Sequence, residues 1–153
     1  MAKRMVIFIA VIAGTLATAA LSDNGSDPVS ARKDVMKTYL ALIKFLADIA
    51  NGKTEYEPKA AHDAAHAMLA ASKIEIDTLW VPGTAQGEVA ESRSKVTIWE
   101  DFEKFEDVAE EMENAAVAVD IASQQGLIPL QQAMPALGVA CKSCHQAYRG
   151  PKN

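Results

Sequence analysis

The most chemically specific run in the sequence is Cys141-Lys142-Ser143-Cys144-His145. On a helix, side chains three and four positions apart lie on one face. Cys141 and Cys144 can therefore both reach one edge of a flat macrocycle, and His145 can place a ring nitrogen under a metal at its centre. This C-x-x-C-H spacing is that of covalent haem attachment, in which each thiol forms a thioether and the histidine binds iron. The motif predicts one haem c with its iron.

Two other uses of the cysteines remain as alternatives to the preferred haem interpretation. A thioredoxin-like dithiol needs a strand–helix–strand setting, which this sequence does not predict. A structural zinc site needs four ligands, so the cysteines would have to recruit His62 and His66, and His145 would then have no role. His62 and His66 lie four residues apart and share a helix face. With no third metal ligand evident nearby, they are expected to point to solvent.

Residues 1–20 have the pattern of a secretory signal peptide: a basic start at Lys3 and Arg4, an apolar run, and small residues before a cleavage site. The apolar run is short for a membrane span. We therefore expect cleavage, export to the periplasm and no stable membrane insertion of the remaining domain, residues 21–153. Cleavage leaves 13 basic residues against 20 acidic ones, a net charge of −7. That charge argues against a nucleic-acid partner and favours basic partners.

Four amphipathic helices follow, each marked by apolar residues three and four positions apart. Asp27-Pro28 supplies a cap and a first-turn proline for the first helix, and Asn51-Gly52 ends it. Pro135 falls inside the fourth pattern and is expected to kink that helix or to start its regular part. The expected bounds of the second, third and fourth helices are Pro58 to Pro82-Gly83, Trp99 to Gln125-Gly126, and Ile128 to Tyr148.

The helices predict an all-α protein folded as an antiparallel up-down four-helix bundle. Half of the chain is apolar, yet only 6% of it is aromatic. The inner face of the second helix is rich in alanine, and that of the fourth carries the cysteines. These small faces leave room for a haem bound near the C-terminal helix.

Three segments resemble the class II cytochromes c, which are the cytochrome c′ family and its low-spin His/Met relatives. Arg32 to Lys37 looks like the family's first-helix motif, in which an arginine is followed four residues later by a haem-facing side chain. Pro82-Gly83, with Ile98 to Asp101 and Phe105, resembles the loop and the start of the third helix. Residues 141–149 are close to the C-terminal signature.

The resemblance implies a role for several residues beyond the motif. Arg32 should lie near a haem propionate, and Met36 should lie over the distal face of the haem. Arg149 should flank the proximal histidine, and Tyr148 should pack near the attached edge. Class II cytochromes often pair through their first two helices, so a homodimer is possible, with Tyr39, Leu42 and Phe45 as its apolar surface.

The predicted function depends on what occupies the sixth position of the iron. The main prediction is a periplasmic electron carrier, not an enzyme, with His145 and Met36 as axial ligands and redox proteins as partners. The alternative is a five-coordinate, high-spin protein that binds nitric oxide or carbon monoxide, with Met36 only filling the pocket. The acidic run from Glu100 to Glu113 is expected to be a solvated face, with a docking patch for a basic partner as the sharper interpretation.

Overall fold

The computed structural model describes residues 27–152, so the predicted signal peptide lies outside the described residues. Within that range the protein is helical and contains no strand, only two isolated bridges. The bounds of the helices are α1 Pro28–Ala50, α2 Pro58–Ser72, α3 Ile76–Leu79, α4 Thr97–Glu100, α5 Phe102–Gln125 and α6 Leu127–Tyr148. The all-α prediction is confirmed. None of these helices has the length and apolar content that crossing a membrane requires.

The four long helices form the predicted bundle. Helix α1 packs on α2 and α6, and α5 packs on the same two helices, so the four surround one core. Two hydrogen bonds link the helices at the end of the bundle opposite the C-x-x-C-H motif. Tyr56 Oη donates to the Ser123 carbonyl, and Gln131 Nε2 donates to the Ala50 carbonyl. The ends of α1 and α5 therefore meet the starts of α2 and α6, as an up-down bundle requires. Fully buried core side chains include Leu46, Met68, Val119, Leu130 and Leu137.

The first helix begins and ends as its sequence predicts. The Asp27 carboxylate accepts hydrogen bonds from the backbone amides of Val29 and Ser30, at N–O distances of 3.3 and 3.1 Å. These bonds satisfy amides that have no carbonyl partner inside the helix. At the other end, Gly52 takes a positive φ of 70° that closes the turn.

The second helix is shorter than predicted. It ends at Ser72 rather than near Pro82. Lys73 leaves helical geometry, and the Ser72 hydroxyl donates a hydrogen bond to the Leu69 carbonyl at 2.8 Å. After this break, Ile74 and the short α3 turn inward and pack against a second apolar cluster. Burial of these side chains decides the chain path here, and helical periodicity alone does not reveal it.

The second apolar cluster sits at the motif end of the bundle. It consists of Trp80, Ile98, Phe105 and Tyr148, and Phe105 meets Trp80 and Tyr148 at ring-centroid distances of 5.2 and 5.1 Å. The predicted third helix is divided there. Asp101 interrupts α4 and caps α5 by accepting from the Lys104 amide at 3.2 Å.

Helix α6 is continuous through Pro135, so the prediction that its regular part starts at that proline is wrong. The helix begins instead directly after Gly126, whose φ of 116° and ψ of −179° belong to a region that glycine alone adopts readily. This residue lets α5 end and α6 start with a single residue between them.

Candidate functional site

An apolar cavity lies between α1 and α6 at the end of the bundle that holds the second cluster. It has two compartments, with volumes of about 360 and 370 Å³. The residues that line both are Met36, Leu40, Trp80, Phe105, Cys144, His145 and Arg149. Met36 and Leu40 of α1 therefore line the same space as Cys144 and His145 of α6, and the two compartments form one site.

Both motif cysteines carry free thiols at this cavity. Cys144 lines both compartments, and Cys141 lines the second, with its Sγ 3.7 Å from the Met112 Sδ. Burial, with a smaller effect of Cys141, raises the pKa of Cys144 to about 11, and burial also raises the pKa of Cys141. A redox dithiol needs a thiol with a depressed pKa. The thiols therefore suit a covalent attachment better than a thioredoxin-like cycle.

His145 is half-buried in the last turns of α6 and lines both compartments. Burial lowers its pKa, and the nearby positive charges of Arg149 and Arg93 lower it further. A lowered pKa keeps the imidazole neutral at physiological pH, which leaves a nitrogen lone pair for a metal. The structure thus brings His145, Cys141, Cys144 and Met36 to one cavity.

Arg32 is a buried cation that has no carboxylate partner among residues 27–152. The side chain is 5% exposed, donates to the Thr84 Oγ1 and carbonyl oxygen at 3.0 and 3.2 Å, and lies 5.7 Å from the centre of the Trp80 ring. Burial lowers its pKa, and Asp27 only partly opposes that effect. In the part of the chain that the structure describes, no carboxylate pairs with it. A buried charge held by neutral groups is costly, so this corner of the cavity fits an anionic group such as a haem propionate.

A clasp holds the end of α6, and the sequence patterns did not reveal it. Arg93 donates to the carbonyl oxygen of Gly150, with its Nη2 at 2.6 Å, and the Gly150 amide donates back to the Arg93 carbonyl at 2.7 Å. Lys95 Nζ donates to the carbonyl oxygens of Gln146 and Ala147 at 2.9 and 3.0 Å. These bonds satisfy carbonyls that the helix end leaves open. The loop from Thr84 to Lys95 thereby supports the turn that carries His145.

Trp80 and Thr84 also belong to the site and were missed. Both hold Arg32, and Trp80 additionally lines both compartments. Trp80, in the run Leu79-Trp80-Val81-Pro82, was the sequence feature that could have indicated a site residue. It was overlooked because the run was assigned to the end of a longer second helix.

His66 is exposed to solvent as predicted, whereas His62 is half-buried. Both imidazoles face Asp120 of α5, with Nδ1 to Oδ1 distances of 3.7 and 3.5 Å, and the side chains are 38% and 68% exposed. They lie on α2 away from the cavity linings. Among residues 27–152, no three His, Cys, Asp or Glu side chains are placed to hold a metal ion, so the zinc alternative finds no support.

Comparison with known proteins shows which proteins this chain is similar to. The family model for cytochrome C′ matches residues 27–149. Cytochrome c-554 of Cereibacter sphaeroides is 36% identical over 104 residues, covering 68% of this chain and 78% of the relative. A solved structure of cytochrome c′ from Rhodobacter spheriodes superimposes with a TM-score of 0.76 at 29% identity, over 80% of this chain and 95% of that one.

A third comparison concerns the fold alone. A nitric oxide complex of a cytochrome c prime variant from Alcaligenes xylosoxidans matches with a TM-score of 0.72. It is 20% identical and covers 81% of this chain and 94% of that one.

Proposed function

This chain belongs to the cytochrome c′ family, and from that premise we propose that Cys141 and Cys144 hold its haem by thioether bonds while His145 binds the iron. Haem c with iron is the cofactor of the family, and electron transport is its class of function. The observation that carries the proposal is the convergence of both thiols and the neutral imidazole on one apolar cavity. When bound, the haem supplies the redox and ligand chemistry.

The residues of this chain supply the surroundings. Arg32 is proposed to neutralise a propionate, and the apolar walls exclude water from the iron. Trp80 and Thr84 keep the Arg32 guanidinium in place. No nucleophile and base are assigned, because the family consists of haem carriers and gas binders rather than classical enzymes.

The first candidate function is binding of nitric oxide or carbon monoxide at an open sixth position. The related cytochrome c prime structure with nitric oxide supports this candidate. Met36 is half-buried and flexible, with apolar neighbours in both clusters. Such a side chain can fill the distal space and yield to a diatomic gas. This candidate was the alternative in the sequence analysis, and the comparisons favour it over the main prediction.

The second candidate is electron transfer with Met36 and His145 as the two axial ligands. One specific observation favours it: the Met36 thioether lines both compartments, as does the His145 imidazole. A thioether ligand would keep the iron low-spin in both oxidation states and raise its potential.

The spin state of the holo-protein separates the two candidates. A high-spin visible spectrum of the oxidised and reduced protein is expected for an open site, and a low-spin spectrum would overturn it in favour of Met36 ligation. The matched pair Met36→Leu and Met36→Ala sharpens the test. Leucine keeps the bulk and removes the sulfur, so an open site keeps its spin state and its slow carbon monoxide binding. Alanine removes the bulk and is expected to speed that binding by roughly tenfold or more, a change of about 1.4 kcal/mol in barrier.

We also propose that residues 1–20 direct export to the periplasm, where the relatives work. Redox proteins of that compartment are the proposed partners. Formation of a homodimer is a further proposal, since members of the family often pair.

A further inference from the structure

Three cations lie around the last turn of α6, and none of them pairs with a carboxylate of the described residues. Arg93 and Lys95 direct their donors to the backbone carbonyls of the clasp. Arg149 is exposed and lines both compartments of the cavity. We call Arg93, Lys95 and Arg149 the basic rim. Across residues 27–152, the ion pairs include none of these three side chains.

The basic rim differs in charge from the protein as a whole, whose net charge is −5. Two other cations near the cavity are neutralised locally: Lys33 pairs with Glu91 at 2.6 Å and Lys37 with Asp34 at 2.8 Å. Arg32, in the first compartment, is not paired with a carboxylate of the described residues. Glu91 is the one acidic residue in the described lining of either compartment. The acidic run of α5 does not line the cavity. The two propionates of a haem would offset two of the four cations Arg32, Arg93, Lys95 and Arg149, so the remaining charge at the mouth is positive.

Position makes this local charge more important than the net charge. The Debye length is about 8 Å at physiological ionic strength, so charges farther from a docked partner are largely screened. A molecule that approaches the cavity beside His145 meets the rim first. Arg93 and Lys95 are also bonded to neutral carbonyls, which fix their positions without cancelling their charge.

We propose that the basic rim is the docking surface for the acidic face of an electron-transfer protein. The inference rests on the haem site proposed above and names the partner class for it. In the encounter one electron passes from the reduced partner to the ferric iron, or from the ferrous iron to an oxidised partner, and no bond is made or broken. Complementary charge steers such encounters and fixes their orientation. This assignment is the opposite of the basic partner that the net charge indicates.

Small redox reagents of opposite charge test the rim directly. The ferrous holo-protein is mixed with hexacyanoferrate(III), an anion, or with tris(phenanthroline)cobalt(III), a cation, and oxidation is followed while sodium chloride rises from about 10 to about 200 mM. We expect the hexacyanoferrate rate to fall roughly threefold and the cobalt rate to rise. If net charge governs the encounter, the hexacyanoferrate rate rises with salt, and that result overturns the proposal.

A pair of charge reversals locates the effect. Arg149→Glu and Lys59→Glu change the net charge equally, but Lys59 lies at the start of α2, at the far end of the bundle. Arg149→Glu is expected to abolish the fall in rate with salt, whereas Lys59→Glu keeps it. Polyglutamate, the probe for an acidic protein surface, should slow oxidation of the wild type at low salt and leave Arg149→Glu unaffected.

Equal behaviour of the two variants, or no effect of polyglutamate, also overturns the docking proposal. The spin state of each sample is recorded alongside the rates. Oxidation by these reagents does not require an open sixth position. If the docking proposal is wrong, the salt dependence of the rates will show it. If the proposed iron ligation is wrong, the visible spectrum will show it.

Discussion

At the residue scale, the proposed haem attachment depends on two thiols and an imidazole that lie within about one turn of α6. The Cys141→Ser, Cys144→Ser double variant should hold no covalent haem, because no sulfur remains to form a thioether. A denaturing gel stained for haem peroxidase activity should show a band for wild type and none for the variant. Ser143→Ala, between the cysteines, is the control and should keep the band. A wild-type protein without covalent haem would refute the attachment.

Arg32 gives a second residue-scale prediction. Arg32→Met should lower the free energy of unfolding of the haem-loaded protein by about 2–4 kcal/mol, because methionine cannot make the two Thr84 hydrogen bonds and would leave the proposed propionate without its cation. Lys44→Met, at an exposed position of α1, should change it by less than about 0.5 kcal/mol. Urea unfolding of both variants measures the difference. Equal effects would mean that Arg32 has no anionic partner in the loaded protein.

At the element scale, Gly126 decides how α5 turns into α6. A Cβ at this position meets nothing within 4 Å, so the cost of Gly126→Ala comes from the backbone alone. We expect a loss of about 1–3 kcal/mol in the free energy of unfolding, since φ of 116° with ψ of −179° is a glycine conformation. Denaturant titration of the holo-protein provides the measurement.

Gly52 is the matched control for that prediction. Its φ of 70° lies in the left-handed region that asparagine also adopts at helix ends. Gly52→Asn should cost less than about 1 kcal/mol. If Gly126→Ala proves as mild as Gly52→Asn, the turn can relax and the backbone explanation is wrong.

Local signals in the sequence were sufficient for the number of long helices, for the ends of α1 and for the motif, but not for the end of α2 or for the loop region between α2 and α5. The Asp27-Pro28 start and the Gly126 stop are chemical signals confined to a few residues, and both were predicted. The break after Ser72 depends on burial of Ile74 in a cluster whose other members come from distant parts of the chain. The residues around Thr84 and Lys95 in the sequence do not indicate their roles, because their hydrogen-bond partners lie more than fifty residues away along the chain.

At the scale of the whole molecule, the exposed apolar surface of α1 bears on assembly. Tyr39 was predicted to contribute to a dimer interface, but it is buried, and its hydroxyl donates to the Ala71 carbonyl at 2.7 Å. The large apolar side chains of α1 that are exposed are Leu40 and Phe45, at 67% and 39%.

Phe45→Glu should therefore shift a homodimer toward monomer, because a carboxylate cannot be buried against apolar side chains without cost. Val139→Glu, an equally polar change at an exposed residue of α6, should leave the association unchanged. Sedimentation velocity at micromolar concentration measures both. A wild type that sediments as a monomer, or equal effects of the two variants, would exclude α1 as the interface.

The clasp between the loop and the end of α6 has a consequence for the rate of electron exchange. Helix ends normally fray, and a ligand on a fraying turn shifts when the charge on its metal changes. Here the carbonyls of that turn are held by Arg93 and Lys95. The turn that carries His145 is thus fixed at the carbonyl oxygens of Gln146 and Ala147. If His145 binds the iron as proposed, its imidazole would move little between oxidation states, and the inner-sphere reorganisation energy at that ligand would be small.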